Sequence, residues 1–245
     1  MATDRWVLFD LDGTLFDFDA AERHAVADTL GGLGIDVDDE VVATYRRINT
    51  RYWRALERGE MTPGRARVER WDEVLMVLGV DGVDVAALAE SYLGHLAAGT
   101  QLLDGAQEAV AAVAGHHPFA YLTNGLADVQ RPRLAASALA GFPAPLVISE
   151  EVGAAKPDPA IFRAALEELG DPPPERVVMV GDNLEADIGG AARLGMTTVW
   201  VAGSDAAMPV ADVPASTVRI GTVRELPGVL GLPTAGSGPR RSRDA

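Results

Sequence analysis

Apolar runs alternate with helical patterns over the second half of the chain, and this alternation constrains the fold more than any other feature. The runs are FAYLT, PLVIS, RVVMVG and TTVWVA, and the helical segments are 105–114, 127–140, 158–169 and 185–194. Strands that alternate with helices form βαβ units, in which neighbouring strands run parallel. The sequence therefore predicts an α/β fold with a doubly wound, mostly parallel sheet.

One further strand lies apart from the others, near the amino terminus. Residues 5–10 are typical of a short buried strand, whereas residues from about 18 to 98 have helical patterns only. We therefore expect the first strand to join the sheet and the helices to form an inserted all-α cap domain. The predicted domains are a core of residues 1–17 and 99–231, a helical cap of residues 18–98 and a disordered tail of residues 232–245.

Composition excludes several classes of protein. The 245 residues include no cysteine, which excludes disulfides, thiolate catalysis and cysteine-bound zinc. A net charge of −15 argues against a nucleic acid polymer or an anionic membrane surface as a partner. No apolar run approaches the roughly 18 residues that span a bilayer, and no secretory signal is apparent. We expect a cytoplasmic protein that is a monomer or a homodimer.

Polar side chains gather where the predicted strands end. They follow the first strand, FAYLT and RVVMV, and the set comprises Asp10, Asp12, Thr123, Asn124, Asp182 and Asp187. Lys156, the only lysine in the chain, precedes a helix that begins near Asp158. In an open α/β sheet, ligands bind beyond the carboxyl ends of the strands. We therefore expect these groups to share one edge of the sheet.

Some of these acidic residues have a simpler interpretation, because an aspartate after a strand often caps the next helix. A capping role is predicted for Asp158 and is open for Asp104. It does not explain three carboxylates at two strand ends together with the only lysine of the chain.

Clustered carboxylates without cysteine favour a hard cation bound through oxygen, and Mg²⁺ is the predicted cofactor. His116 and His117 are predicted to be solvated loop residues rather than zinc ligands. A carboxylate held against Mg²⁺ can attack a phosphoryl group, because the cation offsets the repulsion between two anions. A second carboxyl group two residues away can protonate the leaving group and then activate water.

The chain resembles the haloacid dehalogenase superfamily, whose four motifs appear in order. They are DLDGTL at 10–15, LTNG at 122–125, AAKPDP at 154–159 and VVMVGDNLEADIGGA at 177–191. The helical insertion lies where the class I cap of that superfamily lies. The resemblance implies a Rossmann-like core and a phosphoaspartate mechanism.

The resemblance also implies a role for each motif residue. Asp10 would be the nucleophile and Asp12 the general acid and base. Mg²⁺ would be held by Asp10, the main-chain carbonyl of Asp12 and Asp182, while Asp187 would orient its water shell or bind it directly. Thr123 and the Asn124 amide would hold phosphate oxygens, and Lys156 would bridge the nucleophile and the transferred group.

The superfamily includes several reactions. Dehalogenases expel a halide that needs no proton, and that branch lacks the second aspartate, so Asp12 argues against 2-haloacid dehalogenation. A phosphomutase remains possible, although no feature favours it. A phosphomonoester hydrolase acting on a small phosphorylated metabolite is the predicted function.

Within the phosphatases, the chain is most similar to bacterial pyrimidine 5′-nucleotidases that clear non-canonical nucleotides. The similarity is carried by FDFDA, LVISEEVGAAKP and VVMVGDNLEADIGG. Branches that dephosphorylate sialic acid phosphate, phosphoglycolate or other sugar phosphates share much of this sequence and remain alternatives.

The cap offers candidate contacts to a nucleobase. One cap helix has an apolar stripe of Val41, Tyr45, Ile48, Tyr52 and Leu56, whose tyrosines are predicted core residues, as is Trp71. Trp53 lies about 100° away from this stripe, with Asn49 one turn before it. Trp53 and Asn49 could therefore stack on a base and read its edge, and Phe18, after the first motif, is a similar candidate.

Overall fold

The computed structural model describes residues 5–203 and 213–233. These residues divide into two compact units. An α/β unit comprises residues 5–17, 102–124, 137–203 and 213–233, and a helical unit comprises residues 18–101 and 125–136. Of the predicted tail, residues 234–245 lie outside the described residues.

The α/β unit contains a six-stranded sheet in which every neighbouring pair is parallel. Its order is β3-β2-β1-β4-β5-β6, the doubly wound arrangement in which the connections reverse direction beside β1. The strands are β1 (Trp6–Phe9), β2 (Phe119–Thr123), β3 (Leu146–Ile148), β4 (Val177–Gly181), β5 (Thr197–Val201) and β6 (Thr217–Ile220). The predicted mostly parallel α/β sheet is confirmed.

Helices connect these strands and form the helical unit. In chain order they are α1 (Phe18–Gly31), α2 (Asp39–Glu57), α3 (Pro63–Leu78), α4 (Val85–Ala97), α5 (Ala106–Ala114), α6 (Ala127–Ala136), α7 (Ser149–Val152), α8 (Pro159–Glu168), α9 (Gly190–Arg193) and α10 (Leu226–Val229). A six-residue π-helix, Leu184–Gly189, leads into α9. Short 3₁₀ helices lie at Ala138–Gly141, Pro174–Arg176 and Val223–Glu225. No helix of the described ranges is long and apolar enough to cross a membrane.

The helical unit consists of α1 to α4 together with α6. The rings of Tyr45, Trp71 and Tyr92 meet at its centre, with centroids 5.0 to 5.3 Å apart. Tyr45 and Trp71 are fully buried, as predicted, while Tyr52 is half-buried and its hydroxyl donates to the Glu69 carbonyl. The α6 residue Val129 packs into the same core, so this helix belongs with the helical segments. The predicted domain boundaries stay a prediction.

Two local expectations differ from the structure, and the open question of a cap at Asp104 is decided. His117 is buried rather than solvated, and burial lowers its pKa, whereas His116 is exposed. Asp104 does not cap α5, because Gly105 occupies the capping position and Asp104 forms an exposed ion pair with Arg224. The predicted helix 127–140 ends at 136, where the Ser137 hydroxyl accepts from the Leu139 N–H and starts a 3₁₀ turn.

Strand β6 was not predicted. Its sequence, TVRI, has one fully buried side chain, Ile220, while Val218 and Arg219 are exposed. Only Val218 and Ile220 are apolar in this strand, and four residues are the shortest run for which alternation identifies a strand.

The predicted cap on α8 is present, since the Asp158 carboxylate accepts from the Ala160 N–H at 2.8 Å.

Helix α2 provides a test of the capping geometry. Asp38 Oδ1 accepts from the N–H groups of Glu40 and Val41, each at 3.0 Å. We expect Asp38→Ala to lower the free energy of unfolding by about 1 kcal/mol, because two helix N–H groups lose their acceptor. Urea unfolding followed by tryptophan fluorescence measures the change.

The adjacent Asp39 supplies the matched control. It forms an ion pair with Arg23 in which both side chains are largely exposed. Asp39→Ala should therefore cost less than about 0.5 kcal/mol. Equal losses in the two variants would contradict the capping role of Asp38.

Candidate active site

Lys156 joins two acidic residues that the sequence separates widely. Its Nζ lies 2.5 Å from Asp10 Oδ1 and 2.7 Å from Asp187 Oδ1, and it donates to the Leu122 carbonyl at 3.0 Å. Asp10 directly follows β1, and its N–H donates to the Val180 carbonyl of β4 at 2.9 Å. The Lys156 and Asp187 side chains are almost fully buried. Asp10, Lys156 and Asp187 therefore form a buried ionic centre at the carboxyl end of the sheet.

Two carboxyl groups near Lys156, those of Asp182 and Asp187, have raised pKa values. Burial raises the pKa of Asp187 to about 6, with Lys156 opposing the change, and the pKa of Asp182 rises to about 8. Burial is the main cause for Asp182, and repulsion from Asp10 and Asp187 adds to it. Burial alone would lower the pKa of Lys156, but the Asp10 and Asp187 carboxylates raise it well above its ordinary value. Lys156 therefore stays protonated and cannot act as a base near neutral pH.

Asp10, Asp182 and Asp187 each offer one oxygen to a group of atoms within 4.8 Å of one another. One ammonium group compensates one of these three negative charges if all are ionised, which leaves two. A divalent cation would offset that excess, and carboxylate oxygens are ligands that Mg²⁺ and Ca²⁺ accept. The residues present thus fit a hard divalent cation.

The segment after β1 fits closely against this cluster. Gly13 has a φ of +83°, and a Cβ atom at this position would lie 2.5 Å from Asp182 Oδ2. Glycine is therefore required by both the left-handed backbone and the approach of Asp182. Asp12 is half-buried in this turn and lies outside the cluster of three carboxylates. Its predicted metal contact, through the main-chain carbonyl, stays a prediction.

Asn124 fixes the main chain of Lys156. Its Nδ2 donates to the Lys156 carbonyl at 2.8 Å, and its Oδ1 accepts from the Lys156 N–H at 2.7 Å. This reciprocal pairing occupies the side-chain amide that could have held a phosphate oxygen. A phosphate contact at Asn124 would therefore use the main-chain N–H. Thr123, the last residue of β2, is buried beside it.

The predicted base contacts belong to the helical unit. Asn49 is buried, and its Nδ2 donates to Glu22 Oε1 at 3.2 Å while its Oδ1 accepts from Arg70 Nη1 at 2.8 Å. Both ends of this amide are therefore occupied. Trp53 is half-buried, and Phe18, also half-buried, is the first residue of α1. Both side chains pack against the core of the helical unit.

Sequence reasoning missed the polar groups around Asn49. Burial raises the pKa of Glu22, which pairs with Arg46 at 2.7 Å. Arg70 is buried against the Tyr92 ring, 5.1 Å from its centroid, and lines a cavity of about 10 Å³ that Trp53 also lines. Its Nε and Nη2 have no hydrogen-bond partner among the described residues. The sequence offered one indication, which is that Glu22 and Arg70 are charged residues on otherwise apolar helix faces. That pattern does not show that both side chains bond Asn49.

The raised pKa of Asp182 predicts how stability depends on pH. An unfolded aspartate titrates near pH 4, whereas folded Asp182 holds its proton to about pH 8. Its contribution to stability is therefore full below pH 4 and is lost as the pH rises towards 8. We expect Asp182→Asn to stabilise the metal-free protein more at pH 8 than at pH 4.5, by about 1 kcal/mol, a figure reduced for the solvent screening of this partly exposed side chain.

Urea unfolding in EDTA at the two pH values measures this difference. The exposed Asp171 is the control, because its φ of 55° suits asparagine as well as aspartate. Asp171→Asn should have the same effect on stability at both pH values. A gain for Asp182→Asn that does not depend on pH would refute the electrostatic origin.

Comparison with known proteins agrees with this geometry. Pyrimidine 5′-nucleotidase YjjG of Escherichia coli is 33% identical over 219 residues, 87% of this chain and 92% of its own. Pyrimidine 5′-nucleotidase PynA of Streptococcus pneumoniae is 31% identical and covers 80% of this chain and 83% of its own. The crystal structure of the HAD-hydrolase YfnB from Bacillus subtilis, bound to magnesium, matches with a TM-score of 0.82 at 31% identity. It covers 93% of this chain and 98% of its own.

The family model of the haloacid dehalogenase-like hydrolases matches residues 5–195, a span that includes every residue of the ionic centre. With strands, motifs and relatives in agreement, the chain belongs to the haloacid dehalogenase-like hydrolases.

Proposed function

We propose that this hydrolase is a Mg²⁺-dependent 5′-nucleotidase that acts on pyrimidine nucleoside monophosphates through a phosphoaspartate intermediate. The observation that carries the proposal is the buried Lys156 ammonium between Asp10 and Asp187, with Asp182 completing an acidic cluster. A phosphoryl group carries negative charge, so a site for it needs positive charge beside the nucleophile. Lys156 is placed to provide that charge next to Asp10.

The metal site would be formed by the carboxylates of Asp10 and Asp182 and by the main-chain carbonyl of Asp12. Asp187 would bind the ion or orient its water ligands. When bound, Mg²⁺ supplies positive charge that offsets the repulsion between the Asp10 carboxylate and the phosphoryl oxygens. The excess of carboxylates over ammonium groups in this cluster supports the assignment.

Asp10, Asp12 and Lys156 have different roles in the proposed reaction. The Asp10 carboxylate attacks phosphorus, the bond to the ester oxygen breaks, and the Asp12 carboxyl group donates a proton to the leaving nucleoside. The Asp12 carboxylate next takes a proton from a water molecule that attacks the phosphoaspartate. The bond from phosphorus to Asp10 breaks, and inorganic phosphate is released. Lys156 stays protonated throughout and holds Asp10 in place.

The choice of substrate rests on the relatives and on the helical unit. YjjG and PynA are both named pyrimidine 5′-nucleotidases. Trp53 and Phe18 are the proposed contacts to the base, since half-buried aromatic rings can stack on a planar group. Asn49 is not proposed as a base contact, because Glu22 and Arg70 occupy its amide. It instead fixes these two buried groups.

A panel of phosphomonoesters tests the substrate class. With MgCl₂, we expect UMP, dUMP and TMP to exceed phosphoglycolate, N-acylneuraminate 9-phosphate and hexose phosphates in kcat/KM by at least about tenfold, or about 1.4 kcal/mol. EDTA should abolish turnover of every substrate. A sugar phosphate, N-acylneuraminate 9-phosphate or phosphoglycolate preferred by the same factor would contradict the nucleotidase proposal and leave the phosphatase mechanism intact.

The role of Asp12 predicts a dependence on the leaving group. Asp12→Asn should slow hydrolysis of UMP by roughly 10²–10⁴, the usual contribution of general acid–base catalysis. The loss should be smaller for 4-nitrophenyl phosphate, whose leaving group needs little protonation. Steady-state kinetics of both substrates measure the two penalties. Equal penalties would show that Asp12 is not the acid for the leaving group.

A further inference from the structure

The indole of Trp200 holds the main chain of Asp182. Trp200 lies on β5 directly beside Gly181 of β4 in the parallel register. Its Nε1 donates to the Asp182 carbonyl at 2.9 Å. The side chain is buried, with 5% of its surface exposed, so water competes little for this hydrogen bond. The loop that carries Asp182 is therefore attached to the neighbouring strand through one side chain.

Asp182 has weaker side-chain support than the other two carboxylates of the cluster. Asp10 lies 2.5 Å from the Lys156 ammonium, and Asp187 pairs with Lys156 and accepts from the Asn183 N–H at 3.0 Å. The Asp182 carboxylate accepts from Thr14 Oγ1 at 3.4 Å, which is long for a hydrogen bond to a charged group. Its position therefore depends on the main chain more than theirs does.

Two further contacts restrict the movement of this arrangement. Gly13 packs against the Asp182 carboxylate so closely that a methyl group there would collide with Oδ2. On the other side, the Arg219 guanidinium of β6 lies 5.3 Å from the centroid of the Trp200 ring, a cation–π distance. The indole is thus fixed by β6 while its N–H fixes Asp182.

We infer that Trp200 is a positioning residue for Mg²⁺ binding, acting through the main-chain carbonyl of Asp182. The inference rests on the metal site of the proposed function. Partners that orient a metal ligand commonly change affinity by roughly 10–100-fold when they are removed. Loss of the indole N–H should therefore weaken Mg²⁺ binding even if the ring itself is replaced by another aromatic ring.

Isothermal titration of MgCl₂ into the metal-free protein tests this inference. We expect Trp200→Phe to raise the Kd for Mg²⁺ by roughly 10-fold or more. Trp71→Phe is the matched control, because Trp71 is also buried and its Nε1 has no hydrogen-bond partner among the described residues. Trp71→Phe also replaces an indole by a phenyl ring, but it removes no hydrogen bond to Asp182. Its Kd for Mg²⁺ should therefore equal that of the wild type.

A third variant separates positioning from packing. Histidine at position 200 would place a ring N–H at the same place in a five-membered ring, but it fills less space than phenylalanine. Positioning through the N–H predicts that Trp200→His binds Mg²⁺ more tightly than Trp200→Phe. A role in packing alone predicts the reverse order, together with a lower melting temperature for the histidine variant.

The outcomes are distinguishable. Tight Mg²⁺ binding by the wild type with an unchanged Kd for Trp200→Phe would overturn the role of Trp200 and leave the proposed function in place. A wild-type protein that does not bind Mg²⁺ would overturn both. If Trp200→Phe does not fold, a Kd for the folded Trp200→His variant close to that of the wild type supports the role. If the Kd of Trp200→His rises in proportion to its loss of stability, the result opposes a positioning role for Trp200.

Discussion

The ammonium group of Lys156 makes the rest of the site possible, because three carboxylates at the end of one sheet would otherwise repel one another. Its contacts to Asp10 and Asp187 join the segment after β1 to the π-helix after β4. The Ile188 N–H donates to the Asn183 carbonyl five residues earlier at 3.2 Å, the hydrogen bond of a π-helix, and such turns often occur at functional sites. One buried cation thus joins two segments that lie far apart in the sequence.

The position of Lys156 is in turn fixed by main-chain geometry. Asn124 bonds both the N–H and the carbonyl of Lys156, and Asn124 directly follows β2. Because β1, β2 and β4 are parallel neighbours, their carboxyl ends bring Asp10, Asn124 and Asp182 to one edge. The sheet therefore provides a rigid frame on which a site of high electrostatic energy can be held.

The sequence predicted the sheet and the residues at its carboxyl edge, because strand periodicity and short motifs are local signals. It did not predict β6, whose side chains are mostly exposed, or the burial of His117, which depends on the surrounding fold. Asn49 illustrates the same limit. Helical geometry placed it one turn from Trp53, but its partners Glu22 and Arg70 come from α1 and α3. Side-chain hydrogen bonds between different helices depend on the tertiary structure, which the periodicity of apolar residues does not reveal.

The burial of the only lysine has a consequence for chemical labelling. Its ε-amino group is 2% exposed and held as an ammonium ion, and an ammonium ion has no lone pair with which to attack an electrophile. Active esters and aldehydes therefore find no reactive lysine on the surface of the folded chain. Attachment of dyes or supports has to use other groups, of which the abundant surface carboxylates are the most numerous. Reaction of Lys156 with such a reagent would report that the sheet edge has opened.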